Sequence, residues 1–206
     1  MRRFALCLAL GVLAGCGGPA DCCMREEPAD TLPYPDVAAV DSGASAAAPS
    51  ADTPWVVRFD GAGPLRVGMT FDEARAALGG DLRMSDLAVG TEEGPDRCDH
   101  PRSGRLPAGV LVMVHGQRVV RVQVDSGSVR TAEGARIGDT EARIRQLYPG
   151  RVTVQPHKYT DGHSLVVLPA AAADTTHLLV FETDGRVVER FRAGRRPQVE
   201  YVERCA

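Results

Sequence analysis

A phrase that occurs twice limits the folds open to this chain more than any other feature. From Arg66 the sequence reads "RVGMTFDEARAALGG", and from Arg136 it reads "RIGDTEARIRQLYPG". At a constant offset of 70, Arg66, Gly68, Thr70, Arg75 and Gly80 fall on Arg136, Gly138, Thr140, Arg145 and Gly150. In each copy a glycine lets the chain turn out of an extended segment, and a threonine then caps a short helix. Thr70 and Glu73 have the spacing of a capping box. Asp139 and Glu141 flank the second cap and favour the positive helix end. Phe71, Ala74 and Leu78, and then Ile144, Leu147 and Tyr148, lie on one face of their helices. Gly79-Gly80 and Pro149-Gly150 stop them. Helices this short do not persist alone in water, so each needs a sheet to pack on.

Strands for that sheet are legible. "GVLVMVHGQRVVRVQVDS" is two β-rich runs around His115-Gly116-Gln117, and "THLLVFETDGRVVERFRAG" is another pair around Asp184-Gly185, a strong hairpin signal. Arg118-Val119-Val120 recurs as Arg186-Val187-Val188, at a spacing of 68. "RVTVQP", a turn near Asp161-Gly162 and "SLVVLP" make a third hairpin, and the terminal "QVEYVERC" is expected to add an edge strand. The predicted class is α+β, with two tandem repeats of short helix plus antiparallel hairpin forming a shared antiparallel sheet. The repeats span residues 54–130 and 131–206.

What precedes them has a different texture. Arg2 and Arg3, the short apolar stretch "FALCLALGVL" and the ending "LAGC" predict a leader over residues 1–15, because ten apolar residues are too few to cross a bilayer comfortably. The small-residue site before Cys16 resembles the bacterial lipobox. That resemblance implies a diacylglycerol on the Cys16 thiol, cleavage, and acylation of the new amino terminus. Acyl chains contribute about 0.8 kcal/mol per buried methylene, and two or more make a stable anchor. Residues 16–53 are rich in proline, alanine and serine without a hydrophobic period, which predicts a disordered tether with a mean reach of about 30–35 Å. Gly17 stands where an aspartate signals inner-membrane retention in some bacteria, so the expected location is the outer membrane, facing the periplasm.

Charge and cysteines narrow the partners. Losing Arg2 and Arg3 with the leader takes the formal charge from −3 to −5, a mildly acidic balance with no basic field, and nucleic acid is excluded as a partner. Outside the leader and Cys16, the cysteines are Cys22, Cys23, Cys98 and Cys205, and four thiols permit three pairings. Cys98 and Cys205 both lie in the folded region of an exported chain, so they are the expected disulfide. Cys22 and Cys23 are left to a vicinal disulfide, an intermolecular link or no bond.

Three segments bear on chemistry. "VQVDSGSV" ends an apolar run in Asp125-Ser-Gly-Ser, which resembles the active-site loop of aspartic proteases; the second such triplet, Asp41-Ser42-Gly43, lies in the tether, and the simpler reading is a strand end and turn. "PHKYTDGHS" gathers His157, Lys158, Tyr159, Asp161, His163 and Ser164 within eight residues. Across a turn, His157 and His163 can approach as a pH-sensitive pair or as two metal ligands. His157, Lys158, Tyr159 and His163 are the candidate binding residues. "CDH", Cys98 to His100, offers two ligands only if Cys98 is not in a disulfide. The run "RVVERFRAGRR" reads as a solvated strand face. There is no phosphate-binding loop, no zinc-protease helix motif and no dinucleotide fingerprint, so no catalytic residue, metal or small-molecule cofactor is expected.

G-x-T opening a short helix, Leu or Tyr with Gly closing it, and a hairpin after, twice over, resembles the β-lactamase-inhibitor-protein-like superfamily, with the small SmpA/BamE-type outer-membrane-assembly lipoproteins in the same broad group. "HKYTDGH" and "VEYVERC" are similar to a group of secreted bacterial proteins. The resemblance spans roughly residues 60 to 206 and implies a concave sheet whose turn loops dock on a protein. This chain has one clear helix per copy where the superfamily often has two, and few aromatics, which implies a weaker or structural contact. The expected function is a lipid-anchored envelope protein of non-enzymatic binding type, with the membrane and an envelope protein as partners. The alternatives are an envelope hydrolase or metal-dependent enzyme using the His157–Ser164 turn, and an assembly lipoprotein of an outer-membrane complex.

Overall fold

The structure, a computed structural model, describes residues 54–85, 90, 94, 96–171 and 174–205. The expected leader at 1–15, the expected lipidation site Cys16, the expected tether over 16–53, and Cys22 and Cys23 all lie outside the described residues. Among the described residues, no helix is long and apolar enough to cross a membrane.

The chain is α+β and mostly sheet. Three short strands, β1 (Val56–Arg58), β2 (Gly61–Ala62) and β3 (Leu65–Arg66), lead into α1 (Phe71–Ala77). Then come β4 (Cys98–Asp99), β5 (Val110–His115), β6 (Arg118–Val124) and β7 (Arg130–Thr131), followed by α2 (Glu141–Leu147). The rest is β8 (Val152–Pro156), β9 (His163–Val167), β10 (His177–Thr183), β11 (Val188–Arg195) and a 3-10 turn at Gln198–Glu200. A seven-stranded sheet runs β4-β5-β6-β11-β10-β9-β8 and is antiparallel at every pairing. A four-stranded sheet, β3-β2-β1-β7, is antiparallel except where β1 meets β7.

Side chains alternate across the large sheet. One face carries Val110, Val122, Val124, Leu165, Val167, Leu179, Phe181, Phe191 and Ala193, and buries them against Ile144 and Tyr148 of the second helix region and Val57 and Ala62 of the small sheet. Val112, Val114 and Val119 at one end pack on Ala74 and Leu78. Both helices are seven residues long and begin as the sequence predicts: Thr70 and Glu73 form the reciprocal capping box, and Thr140 Oγ1 accepts from Arg143 N. Each is fastened to a hairpin turn by the same kind of bonds. Gly68 N donates to Val119 O and Phe71 N to Gln117 O; Gly138 N donates to Val188 O and Glu141 N to Arg186 O. Gly68 and Gly138 have φ of +94° and +87°, a conformation that favours glycine. Val119 and Val188 thus hold the matching place, an offset of 69 where the Arg-Val-Val triplet suggested 68.

Two expectations are corrected on the opposite face. Residues 198–205 are not an edge strand: after Pro197 the chain makes the 3-10 turn and crosses the sheet as a strap. Its carbonyls are taken by side chains, since Arg121 Nη1 donates to Gln198 O and Tyr201 O, and Arg192 Nε to Val199 O. Val199 packs on Val166, Leu178 and Val180. The run "RVVERFRAGRR" is accordingly not a solvated face throughout. Arg192, like Arg121, is among the most buried side chains, although Arg190 and Arg195 are exposed. The strap ends in the expected Cys98–Cys205 disulfide, which closes a sequence separation of 107 residues.

Candidate functional site

The β8–β9 hairpin carries the candidate residues. Its ladder runs from Val152 opposite Val167 to Pro156 opposite His163, and beyond it His157 N donates to Gly162 O at 2.9 Å. Gly162 is where the tip meets β10: a Cβ there would lie 1.9 Å from Thr183 O, so only glycine fits. Gly162 N donates to Thr160 Oγ1 and Tyr159 N to His157 Nδ1, at 3.2 Å each, so the tip is held by its own side chains.

Alternation then separates the two histidines that the sequence suggested might meet. His163 lies opposite Thr183, on the face with the helices. Its Nδ1–H donates to Glu141 Oε1 at 2.7 Å, and Thr183 Oγ1 donates to the same oxygen at 2.7 Å. Arg145 Nη2 reaches the other Glu141 oxygen at 3.3 Å. Burial opposes ionisation of Glu141, but the hydrogen bonds from His163 and Thr183, with the Arg145 bond, hold its carboxyl below the usual range. His157 faces the other way. Because Nδ1 accepts from Tyr159 N, the ring proton sits on Nε2, 3.7 Å from Glu182 Oε2. Glu182, one residue before Thr183, points to the strap side and pairs with Arg192 and, at 3.5 Å, with Arg190. His157 and His163 are therefore not a pair; each serves a different carboxylate on a different face.

A cleft of about 290 Å³ lies beside the hairpin tip, lined by His157, Tyr159, Glu182, Arg190, Val202 and Glu203 among others. Lys158 Nζ donates to Glu203 Oε1 at 3.0 Å and lies 4.8 Å from the Tyr159 ring centroid, so the tip is bridged to the strap. That bond is the main cause of a lowered Glu203 carboxyl. Tyr159 is 59 % exposed.

Among the described residues, β8 itself is paired on one side only. Leu168 N donates to Arg151 O and His157 N to Gly162 O, so Thr153 and Gln155 turn their backbone groups toward β9. By the antiparallel alternation, Val152 and Val154 point N–H and C=O outward, and Pro156 offers a carbonyl without an N–H. Val154 and Leu168 are exposed as well, so three of the four large exposed apolar side chains among the described residues cluster at this hairpin.

The other sequence candidates settle locally. Asp125 follows β6 and accepts from Gln123 Nε2 and Arg204 Nη2, while Ser126, Gly127 and Ser128 make the turn. Cys98 is bonded to Cys205 and does not act as a ligand. Among the described residues, no group of three or more His, Cys, Asp or Glu side chains is placed to hold a metal ion. Sequence reasoning missed Glu141, Glu182 and Arg192. The available signal was a charge inside a buried run, as in Leu179-Val180-Phe181-Glu182 and Phe191-Arg192-Ala193. Compared with known proteins, the chain matches no family, no curated protein and no solved structure.

Proposed function

We propose that this chain is an envelope lipoprotein, acylated at Cys16 and set off the outer membrane by residues 16–53, whose α+β domain is a non-enzymatic binding module. Its site is the β8 edge with the Val154, Tyr159 and Leu168 side chains, and its partner is an extended segment of another envelope protein that adds to the sheet. The observation that carries this reading is the pair of outward-facing residues Val152 and Val154 on a strand that, among the described residues, is paired on one side only. Such an edge is a template for strand addition, with backbone bonds giving affinity and alternate side chains giving selectivity. A binding rather than catalytic role is supported by the engagement of the ionisable groups at the hairpin: Glu141 by His163, Thr183 and Arg145, and Glu182 by Arg192, Arg190 and His157.

The domain is further read as two tandem copies, in keeping with the resemblance to the β-lactamase-inhibitor-like and SmpA/BamE-type group. The support is the matched fastening of α1 and α2 to their hairpin turns, and the isolated bridges Thr70–Arg118 and Thr140–Val187. In the strand order, β6, β5 and β4 on one side answer β11, β10 and β9 on the other, which leaves β8 as the strand without a counterpart.

The test is photo-crosslinking in whole cells, with a photoreactive residue at Val154 of the full chain. A discrete adduct with an envelope protein is expected. Val154→Pro removes one outward N–H that the fold does not use, and proline is tolerated at edges. It should abolish the pull-down of that partner while leaving the unfolding midpoint nearly unchanged. Undiminished capture by this variant, or mass spectrometry showing no acyl chains on Cys16, would sink the reading.

A further inference from the structure

The two edges of the large sheet differ in what they can accept. At one, β4 is two residues long, carries Asp99 and is tied through Cys98 to the strap. At the other, β8 reads Val-Thr-Val-Gln-Pro over residues 152–156, without a charge and, among the described residues, without a partner on its outer side. Native edges are commonly blunted by lysine, by proline or by shortness. β8 has such a residue only at its last position.

Its backbone sets the length of what can be added. Val152 and Val154 each turn an N–H and a C=O outward, and Pro156 turns out a C=O alone. Before them Arg151 N donates to Tyr148 O; after them His157 N turns inward to Gly162 O. An added strand therefore finds partners along the five residues of β8, about 17 Å. Alternation assigns its side chains. Val152, Val154 and Pro156 lie opposite Val167, Leu165 and His163 on the helix face, where Val152 packs on the core and Val154 is 38 % exposed. Apolar side chains beside them would extend that core and cover Val154. Thr153 and Gln155 lie opposite Val166 and Ser164 on the strap face. The carboxylates near the strand already have cations or donors: Glu203 has Lys158, Glu200 has Arg196 and Glu141 has His163. Arg151 is turned over the Tyr148 ring, 5.2 Å from its centroid.

We propose, on the reading of β8 as a strand acceptor, that the segment it takes from another envelope protein is an uncharged five-residue stretch. Val, Ile or Leu stands at its first, third and fifth positions, and Ser, Thr, Asn or Gln at its second and fourth. β8 itself has this alternation, so a second copy of the chain is the competing occupant. Two-fold pairing of β8 with its copy leaves outward groups unused in either register: Val152 meets Val154 and the Pro156 carbonyl is left over, or Val154 meets itself and the Val152 carbonyl faces a proline without an N–H. A foreign strand uses them all.

Fluorescence polarisation of the full chain with labelled peptides tests the proposal, with Val-Thr-Val-Thr-Val between two glycines as the parent. The parent should bind saturably. Lysine at its three valine positions should weaken it by about tenfold or more, and lysine or glutamate at its two threonines should not tighten it. In the chain, Val154→Pro should abolish binding. Val154→Lys keeps every backbone group but sets a charge against the central valine; it should cost about tenfold and gives a second reading should the proline variant fold poorly. Sedimentation without peptide should give a monomer. No saturable binding of the parent, tighter binding of a charged version, unchanged affinity in both variants, or a dimer that Val154→Pro disperses would each overturn the assignment. If the photo-crosslinked adduct at Val154 persists while the parent peptide fails, this segment chemistry falls alone; if the adduct is lost too, the strand-acceptor reading falls with it.

Discussion

Glu182 and Arg192 show how much one strand register can demand of single residues. Arg192 lies diagonally across the β10–β11 ladder from Glu182, and both side chains are almost wholly buried. Neither charge can be left alone there, because an unpaired buried ion costs several kcal/mol even after relaxation. Arg192 also donates to Val199 O, so the pair holds the strap as well as itself. Glu182→Ala should destabilise the domain by roughly 3–5 kcal/mol, whereas the double change Glu182→Leu with Arg192→Met should recover most of that loss. Urea unfolding of the three proteins measures both. The neighbouring Arg121 sets a limit on how crowded this face is: burial first, and then the Arg192 charge, push its guanidinium down to about 9. A charge within an apolar run marked Arg121 and Arg192 in "RVVRVQV" and "VERFRAG", but their partners were not legible there. Alternation tells which side chains share a face, but not whether that face is covered, and the cover here comes from residues 198–205 at the far end of the chain.

The two short helices were legible because their signals are local: a positive-φ glycine, a threonine cap and a glycine stop all lie within one phrase. Their difference was not. Phe71 opens α1 as an apolar residue, while Glu141 in the same place opens α2 as a carboxylate that reaches across to His163 and Thr183 on two strands. Its role in the sequence looked like that of any acid near a helix start. The structural consequence is a titratable clamp on α2. A carboxyl depressed in the folded state contributes stability that is fully present above its unfolded value, near 4.3, and is lost as pH falls through the folded value. His100 adds in the same direction from a higher pH. Burial lowers its folded value, so the unfolded chain takes up the proton first, and stability declines as pH drops below about 6.5. Unfolding midpoints followed from pH 7 downward should therefore fall in two stages. Glu141→Gln should be less stable at pH 7 and should shrink only the more acidic stage, which Glu73, Asp174, Asp184 and Glu203, also held low in the fold, share with it.

For the domain as a whole, the decisive element is the strap. The sequence pointed to Cys98–Cys205 from compartment and position, yet the same eight terminal residues were expected to continue the sheet at its edge. Pairing at an edge would have used their carbonyls in a ladder; instead Arg121 and Arg192 take them across the face, with Arg204 on Asp125 and Lys158 on Glu203 as outer ties. The disulfide fixes the far end to β4, and in the chain-entropy account a loop of this size contributes roughly 4.7 kcal/mol. In a domain of about 150 residues, each kcal/mol moves the melting temperature by roughly 2–4 °C. Cys205→Ser should then lower it by about 9–19 °C. It should also loosen the strap before the sheet, because Val166, Leu178 and Val180 are covered on that face by Val199. Binding of a hydrophobic dye at temperatures below the main transition reports that exposure. A variant that melts like the parent, with no dye binding before the transition, would mean that the arginines hold the strap unaided and that the covalent bond adds nothing to the fold.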